Sequence, residues 1–262
     1  MTALLSAASC APITLAELVE RAALQTRIDR KYLLPLDAAE RAVAGLAGCA
    51  RVLEIGGRRD MGYRSLYFDT PELTSYHLSA RGRRRRFKVR RRTYLDTGQS
   101  FLEVKTRGGR GSTVKERTPD DDGSTPALDA AGRRFVDEVL SRSGVPPVAA
   151  ALQPVLATGY QRTTLYLPAS DSRVTVDTDL GWALPGGPVL ELAGMAIVET
   201  KSSSTPSAAD RWLWRHGVRP TRVSKYGTGL AALADSLPAN KWHPLLSRHF
   251  TPDPTDQERI AS

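Results

Sequence analysis

One segment of the chain, residues 86–94, alternates basic and other side chains with a period of two. Its sequence is RFKVRRRTY, in which positions 86, 88, 90 and 92 are basic while Phe87 and Val89 occupy odd positions. A β-strand sends successive side chains to opposite faces, so the segment predicts a strand with one cationic and one apolar face. Like charges along one face repel one another, and a fold tolerates them only where water or a polyanion surrounds that face.

Several further segments carry charged residues at alternating positions in the same way. The cations of all these segments, together with Lys225, are Arg27, Lys31, Arg86, Lys88, Arg90, Arg92, Lys105, Arg107, Lys115, Arg117, Arg162, Arg173 and Lys201. The carboxylates are Asp29, Glu103, Asp177, Asp179 and Glu199. Strands with one charged and one apolar face predict an antiparallel β-barrel with a charged lumen and helices packed outside, an α+β fold. Such a lumen favours a polyphosphate-like ligand with a divalent metal; the alternative is that some strands have a solvated charged face.

The composition limits the class of protein without choosing the ligand. We expect one domain over residues 1–250 and a disordered tail at 251–262, which contains two prolines and mixed charge. The net charge of +9 fits an anionic ligand, nucleic acid or an anionic membrane equally well. Cys10 and Cys49 form neither a disulfide framework nor a zinc-type spacing. No apolar run approaches the roughly 18–20 residues that span a bilayer, so we expect a soluble, cytoplasmic protein.

Local signals place the elements along the chain. Helix starts are predicted at Thr14, Asp37, Thr70, Leu128, Thr205 and Ser224. Strands are predicted near residues 26–34, 61–68, 83–94, 101–107, 112–118, 160–167, 173–179 and 196–202. The glycine-rich stretch at 108–111 lacks a following Gly-Lys-Ser/Thr and a helix, so it predicts a hairpin turn and not a P-loop.

An ordered set of motifs runs through these elements. The motifs are Asp29-Arg30-Lys31-Tyr32, Tyr63-x-Ser65-x-Tyr67-Phe68-Asp69-Thr70, Arg86 to Tyr94, Phe101-Leu102-Glu103-Val104-Lys105, Tyr160-Gln161-Arg162, Arg173-x-Thr175-x-Asp177-Thr178-Asp179, Glu199-x-Lys201 and Ser224-Lys225-Tyr226-Gly227. In this order they resemble the polyphosphate polymerase domain of the vacuolar transporter chaperone family, a relative of the triphosphate tunnel metalloenzymes with their CYTH-like fold. Each motif alone is common, whereas the ordered set is specific and covers most of the chain.

The resemblance implies a β-tunnel in which ATP and a growing polyphosphate chain lie along basic walls while the terminal phosphate of ATP is transferred to that chain. Carried over by motif, the residues that would hold phosphates are Lys31, Arg90, Arg92, Lys105, Lys115, Arg162, Arg173, Arg222 and Lys225. Lys88, Arg117 and Lys201 share the strand parity and are expected to bind substrate. The candidates for catalysis are Lys31, Arg90, Arg92, Lys105, Lys115 and Lys225. Glu199 would hold Mn²⁺ or Mg²⁺, with Glu103 as the second candidate. Arg222 stands where the family resemblance predicts lysine.

Two other functions remain open from the sequence. A tunnel triphosphatase would hydrolyse a nucleoside triphosphate or inorganic triphosphate, but such enzymes typically open with Glu-x-Glu-x-Lys. Here the same place has Arg27-x-Asp29-x-Lys31, which favours a longer polyanion. A non-catalytic polyanion-binding module would account for the nine basic residues among the twelve of Arg81 to Arg92. Carboxylates such as Glu103 and Glu199 would weaken such a groove, so nucleic acid is not the expected partner.

Some of the candidate residues also have a structural interpretation. Lys31 and Lys105 could form ion pairs with the neighbouring Asp29 and Glu103. Asp177 and Asp179 are expected to orient Arg162 or Arg173, or else to help to hold the metal. Arg85 and Arg91 have the opposite parity and are expected to be solvated. The tyrosines of these motifs are expected to be core residues or to support the site, and not to be catalytic.

Overall fold

The computed structural model describes residues 4–22, 28–108, 113–120, 126–203 and 205–250. The strands in this part of the chain are β1 (Ala11–Ile13), β2 (Ile28–Pro35), β3 (Arg51–Leu53), β4 (Asp60–Asp69), β5 (Phe87–Tyr94), β6 (Ser100–Arg107), β7 (Thr113–Pro119), β8 (Gln153–Leu167), β9 (Ser172–Ala183), β10 (Val189–Leu192) and β11 (Met195–Ser202). The helices are α1 (Leu15–Ala22), α2 (Leu36–Ala44), α3 (Thr74–Ala80), α4 (Ala130–Arg142), α5 (Ala208–Arg215), α6 (Lys225–Leu233) and α7 (His243–His249). Arg27, most of the predicted turn at 108–111 and the tail at 251–262 lie outside the described residues.

The described strands form a single sheet. Its main path of hydrogen-bonded neighbours is β2-β11-β9-β8-β4-β5-β6-β7, and each neighbouring pair on this path is antiparallel. The short strands lie beside it: β10 pairs with β9, and β3 pairs with β8 and, in parallel, with β1. The α+β class predicted from the sequence is therefore confirmed, with an antiparallel main sheet.

The sheet is curved, so that β2 and β5 approach each other. In a flat sheet β2 and β5 would lie about 24 Å apart, which is five spacings of about 4.8 Å. Instead, a short chain segment links them: Thr221 donates its N–H to the Lys31 carbonyl at 2.7 Å, and Lys88 Nζ donates to Ser224 Oγ at 2.8 Å. Among the described strands β2 and β7 do not pair with each other, and this segment bridges part of the distance between the two ends of the sheet.

Two apolar cores cover the outer face of the curled sheet. Under α2 and α5, the outward side chains of β2, β8, β9 and β11 pack with those of the helices, among them Tyr32 and Val198. Under α4, the outward side chains of β5 and β6 pack against Val136 and Leu140. Phe87 is one of them, which agrees with the odd parity predicted from the sequence. Burial of these faces holds the sheet while leaving the opposite face for polar groups.

Arg91 shares the outer face and was wrongly predicted to be solvated. It is only 5% exposed. Its Nε donates to the Asp120 carboxylate at 2.6 Å, its Nη2 donates to the Ala127 carbonyl at 3.2 Å, and its guanidinium lies over the Phe68 ring. The residues that bury it come from a distant, loop-like part of the sequence, so the local parity could not reveal them. Arg85, by contrast, is exposed as expected.

Helices α6 and α7 pack on the inner, concave face and fill part of it. Tyr226 and Leu230 of α6 belong to the same apolar cluster as Trp182 of β9 and Trp242, which precedes α7. Ser224 caps α6 by accepting the N–H of Gly227 at 3.1 Å, as predicted. The hydroxyl of Tyr226 donates to the buried Asp69 carboxylate at the end of β4. These contacts direct the N-terminus of α6 toward the charged part of the concave face.

Three helices begin at residues other than those predicted from the sequence. Thr70 accepts the N–H of Thr74, so α3 begins four residues after the predicted cap. Asp37 lies in the first turn of α2 and not at its cap. The capping box of α5 is formed by Ser207 and Asp210, beyond the predicted start at Thr205. No helix in the described ranges is both long enough and apolar enough to cross a membrane.

The close packing of α6 predicts that Gly229 tolerates no side chain. A Cβ built at Gly229 would lie 2.1 Å from Cδ1 of Trp182, whereas a Cβ at Gly48 would meet nothing within 4 Å. We expect Gly229→Ala to lower the free energy of unfolding by about 1–3 kcal/mol, because a buried indole must move. Gly48→Ala is the control and should change it little. Urea unfolding monitored by fluorescence measures both, and equal stability of the two variants would contradict this packing.

Candidate active site

Strands β5, β6 and β7 present rows of cations to the concave face. In register, Lys88 of β5 lies opposite Lys105 of β6, and Lys105 lies opposite Lys115 of β7. In the next row Arg90 lies opposite Glu103. Residues in register on neighbouring strands share a face. The basic residues at even positions of 86–92 therefore share one surface with their partners on β6 and β7. The alternation in the sequence predicted this common surface.

Strands β2, β11, β9 and β8 form the opposing wall. Lys31 lies opposite Glu199, Lys201 lies between Asp29 and Arg173, and Arg162 lies opposite Asp177. The charges of Lys31 and Glu199 on this wall both act on the pKa of Lys105 of β6, which indicates that the two walls face each other. We call the space between them the lumen. The described candidates on its walls are Lys31, Lys88, Arg90, Arg92, Glu103, Lys105, Lys115, Arg162, Arg173, Glu199, Lys201 and Lys225.

Two candidate cations lie at the rim and not deep in the lumen. Arg117 is exposed, and its guanidinium lies 4.7 Å from the centre of the Phe101 ring. Arg222 is exposed on the segment that precedes α6. Burial and the charges of Arg86 and Arg222 lower the pKa of Lys241, which places Arg222 near other cations at the mouth. The sequence parity did not apply to Arg222 because this residue is not on a strand.

Glu103 is a buried carboxylate that joins two cations. Its side chain is fully buried; Oε2 accepts from Arg90 Nε at 2.8 Å, and Oε1 accepts from Lys115 Nζ at 2.9 Å. Burial alone would raise the pKa of Glu103, but the charges of Arg90, Arg92 and Lys115 hold it well below its usual value. Both oxygens therefore already bind cations of the protein. This makes Glu103 a poorer candidate than Glu199 for a metal ligand.

Asp177 makes the equivalent contacts on the opposing wall. Its two oxygens accept from Nε and Nη2 of Arg162 at 2.6 and 2.8 Å, and Lys225 also pairs with it. Burial alone would raise the pKa of Asp177, but Arg162 and Lys225 lower it to about 2. The geometry is that of an orienting carboxylate. Asp179, in contrast, is exposed and has a left-handed backbone (φ 48°).

Glu199 has a looser arrangement than the other two carboxylates. Oε1 accepts from Lys201 Nζ at 2.5 Å, and Lys31 Nζ lies 4.0 Å from Oε2. Burial would raise the pKa of Glu199, but Lys31 and Lys201 outweigh it and hold the pKa well below the usual value. Lys31 therefore pairs with Glu199 and not with Asp29, whose partner is Lys201 at 3.2 Å. An ionised, incompletely enclosed carboxylate is a suitable ligand for a hard cation.

The donor set fits a metal only in combination with a ligand. The described residues contain no group of three or more histidine, cysteine, aspartate or glutamate side chains that could hold a metal ion. Mg²⁺ commonly binds through one or two carboxylates together with substrate phosphates, and it does not need a cage made of protein groups alone. Glu199 could supply one such carboxylate if phosphate oxygens supplied the remaining ligands.

Two lysines of the lumen have no acidic partner among the described residues. Lys88 donates to Ser224, and burial followed by the charges of Lys31 and other cations lowers the pKa of Lys88 to about 7. The charge of Arg90, followed by burial, holds the pKa of Lys105 well below its usual value. The ion pair between Lys105 and Glu103 that the sequence allowed is not formed within 4.0 Å, because Glu103 is occupied by Arg90 and Lys115.

Tyrosine rings form the floor beneath the arginines. Tyr63 stacks on Tyr160 with ring centres 5.2 Å apart. The guanidiniums of Arg92 and Arg162 lie 5.4 and 5.1 Å from the Tyr63 ring centre, and Lys225 Nζ lies 4.1 Å from that of Tyr160. These contacts fix the cations by cation–π attraction without neutralising them. The expectation that the tyrosines support the site agrees with this geometry, although their direct contact with the cations was not predicted.

Several buried polar atoms along the lumen have no hydrogen-bond partner within the part of the chain that the structure describes. They are Ser65 Oγ, Thr158 Oγ1, Tyr160 OH, Thr175 Oγ1 and Arg92 Nε. Ser65 lies in register with both Arg92 and Thr158, and Thr175 lies in register with Glu199, so the unpaired atoms adjoin the charged side chains. Buried polar groups are normally satisfied. A polar ligand or water in the lumen would satisfy these atoms.

Comparison with known proteins identifies the family. A family model described as the VTC domain matches residues 26–234, which is most of the chain. The chain belongs to the VTC domain family. This confirms the resemblance that the ordered motifs indicated. No curated protein matches the chain.

The solved structures that match the chain are distant from it in sequence. The Hippeastrum protein HpAC1, an assigned adenylyl cyclase with a dominant triphosphatase activity, has 14% identity and a TM-score of 0.48 over 82% of this chain and 100% of its own. A Bacillus halodurans protein assigned as an adenylate cyclase has 14% identity and a TM-score of 0.47, over 76% of this chain and 94% of its own. A Pyrococcus horikoshii protein has 14% identity and a TM-score of 0.43, over 76% of this chain and 95% of its own.

The two central arginines should differ in their effect on stability. Arg90→Ala removes a partner of the fully buried Glu103, and we expect it to lower the free energy of unfolding by about 3 kcal/mol. Arg92 has no carboxylate within 4.0 Å among the described residues, so Arg92→Ala should cost less than about 1 kcal/mol. Urea denaturation compares the pair. If both variants lost the same stability, Glu103 would not depend on Arg90 as described.

Proposed function

We propose that the protein is a polyphosphate polymerase that transfers the terminal phosphate of ATP to inorganic polyphosphate in the lumen. The observation that carries the proposal is the excess of buried cations over carboxylates in a chain of the VTC domain family. Burial lowers the pKa of Lys88, and the charge of Arg90 lowers that of Lys105; neither lysine has a carboxylate within 4.0 Å among the described residues. A polyphosphate supplies many negative charges in a row, which suits a lumen lined with cations along several strands.

Each wall has a distinct task in this proposal. Phosphoryl transfer requires mainly positioning and charge neutralisation from the protein. Arg90, held by Glu103, and Arg162, held by Asp177, are oriented arginines that can grip phosphate oxygens from opposite walls. Lys105 and Lys225 are lysines that can approach the charge developing on the transferred group. A bound Mn²⁺ or Mg²⁺ ion would neutralise phosphate oxygens and align them for in-line transfer, with Glu199 as its protein ligand.

The same site would also suit hydrolysis. A polymerase and a triphosphatase differ in what accepts the phosphoryl group, which is polyphosphate in the first and water in the second. On β2, the position before Lys31 on the same face is Asp29, whose carboxylate pairs with Lys201 at 3.2 Å. This arrangement supplies cations and no second free carboxylate at that position. It therefore supports a polyanionic acceptor over an activated water molecule.

The deciding experiment is incubation of the purified protein with ATP and Mn²⁺. We expect gel electrophoresis to reveal long-chain polyphosphate, and a parallel assay to find little free phosphate. Release of phosphate without a polymer would instead establish a triphosphatase. Neither product, combined with tight binding of polyphosphate, would establish a binding module.

Glu199→Gln tests the metal role. The variant should still bind polyphosphate, and even more tightly, because a negative charge is removed beside Lys31 and Lys201. Its turnover should fall by at least about a hundredfold at any Mn²⁺ concentration, since a main source of charge stabilisation is lost. Glu191→Gln, at an exposed position on β10, is the control and should have normal turnover. A near-normal rate for Glu199→Gln would show that Glu199 is not the metal ligand, and Glu103 or Asp177 would then be the candidates.

The pKa of Lys88 predicts that anion binding takes up protons. With a pKa of about 7, Lys88 is mostly neutral at pH 8 in the free protein, and a nearby polyanion favours its charged form. Titration calorimetry with tripolyphosphate at pH 8, in buffers of different ionisation enthalpy, measures this uptake. In Lys88→Arg the guanidinium stays charged, so uptake should fall by up to about one proton per ligand. Equal uptake by both proteins would show that Lys88 is not titrated by the ligand.

A further inference from the structure

A second basic cavity lies outside the lumen. It is a cleft of about 860 Å³, which we call the outer cleft. It is lined by Arg83, Arg84 and Arg85, which precede β5, and by Arg107 and Arg142, at the ends of β6 and α4. Glu116 of β7 also lines it.

The positive charge of the outer cleft is mostly uncompensated. Its carboxylate, Glu116, is already paired with Arg142, whose Nη2 lies 2.6 Å from Oε2. Within the described ranges, the other arginines of the cleft have no carboxylate within 4.0 Å. Exposed guanidinium groups that are not paired with acids are good phosphate ligands, because their planar fork matches two phosphate oxygens.

The outer cleft is continuous with the lumen through Arg107. Lys105 and Arg107 have the same parity on β6, so the lumen row of β6 ends at Arg107, which also lines the cleft. On β5 the corresponding row ends at Arg86, one position before the paired residues Phe87 and Thr106. Burial and the charge of Arg107 lower the pKa of Arg86, in agreement with their closeness. An uninterrupted path of cations therefore leads from Lys105 to the outer surface.

We propose that the outer cleft binds the part of a polyphosphate chain that extends beyond the lumen. This inference rests on the function proposed above. A chain that outgrows the lumen at this mouth meets Arg107 first and then the three consecutive arginines. Contacts with repeated phosphates at this second place strengthen the binding of long chains, whereas a ligand of three phosphates fits within the lumen and does not reach the cleft.

The test compares two triple variants and two ligands. Arg83→Ser, Arg84→Ser and Arg85→Ser together remove three exposed charges from the cleft. The control, Arg41→Ser, Arg211→Ser and Arg215→Ser, removes three exposed charges from α2 and α5 on the outer face. Affinities for tripolyphosphate and for long-chain polyphosphate are measured at one ionic strength. We expect the cleft variant to lose about tenfold in affinity for the long chain and little for tripolyphosphate. The control should change neither by that amount.

Three results would overturn the inference. The first is a long-chain affinity that matches the control, and the second is an equal loss for both ligands. The third is a single-stranded oligonucleotide that binds the wild type as tightly as polyphosphate and weakens equally in the cleft variant. Lys105→Ala tests the lumen separately from the cleft. If the lumen binds both ligands, this variant should have a lower affinity for each of them. Unchanged binding in Lys105→Ala would contradict the lumen assignment, while the cleft variant would still report on the cleft alone.

Discussion

Mutual repulsion among the cations of the lumen is the constraint that the rest of the structure must satisfy. The fold meets it with three carboxylates, each of which contacts two cations. Glu103 joins Arg90 and Lys115, Asp177 joins Arg162 and Lys225, and Glu199 joins Lys31 and Lys201. These contacts are lateral, within a wall or between a wall and α6, so the cations remain directed at the space between the walls. The carboxylates thus reduce the repulsion without covering the surface that would bind a ligand.

The apolar parts of the fold allow this arrangement. Outer-face cores under α2, α5 and α4 supply burial that does not involve the lumen. On the concave face, α6 closes part of the space through Tyr226 and also places Ser224 and Lys225 beside the cations. Stability therefore comes mainly from elements away from the lumen. The lumen can in turn retain unpaired donors such as Arg92 Nε, which a fold with a smaller core could not support.

The sequence predicts most of what is local and little of what is distant. The two faces of β5 follow from a period of two, which needs no knowledge of partners. Arg91 has the parity of an outward residue, but its burial depends on Asp120 and Ala127, which the chain brings back from beyond β7. Likewise Glu103 and Lys105 share a face two residues apart, yet Glu103 pairs across strands with Arg90 and Lys115. Which acid meets which base is decided by register and curvature, and neither is encoded in a single strand.

Arginine and lysine occupy different kinds of position in the lumen, for electrostatic reasons. Arginine stays charged in proteins, so a deeply placed guanidinium requires a carboxylate or an aromatic face, as Arg90 and Arg162 show. Lysine can lose its proton instead, and the unpaired positions hold Lys88 and Lys105, whose pKa values are depressed. With a pKa of about 7, Lys88 carries only part of its charge near neutral pH, and a polyanion bound beside it would favour the charged form. Such a site can hold a highly charged ligand strongly without carrying the full repulsion of its cations when the ligand leaves.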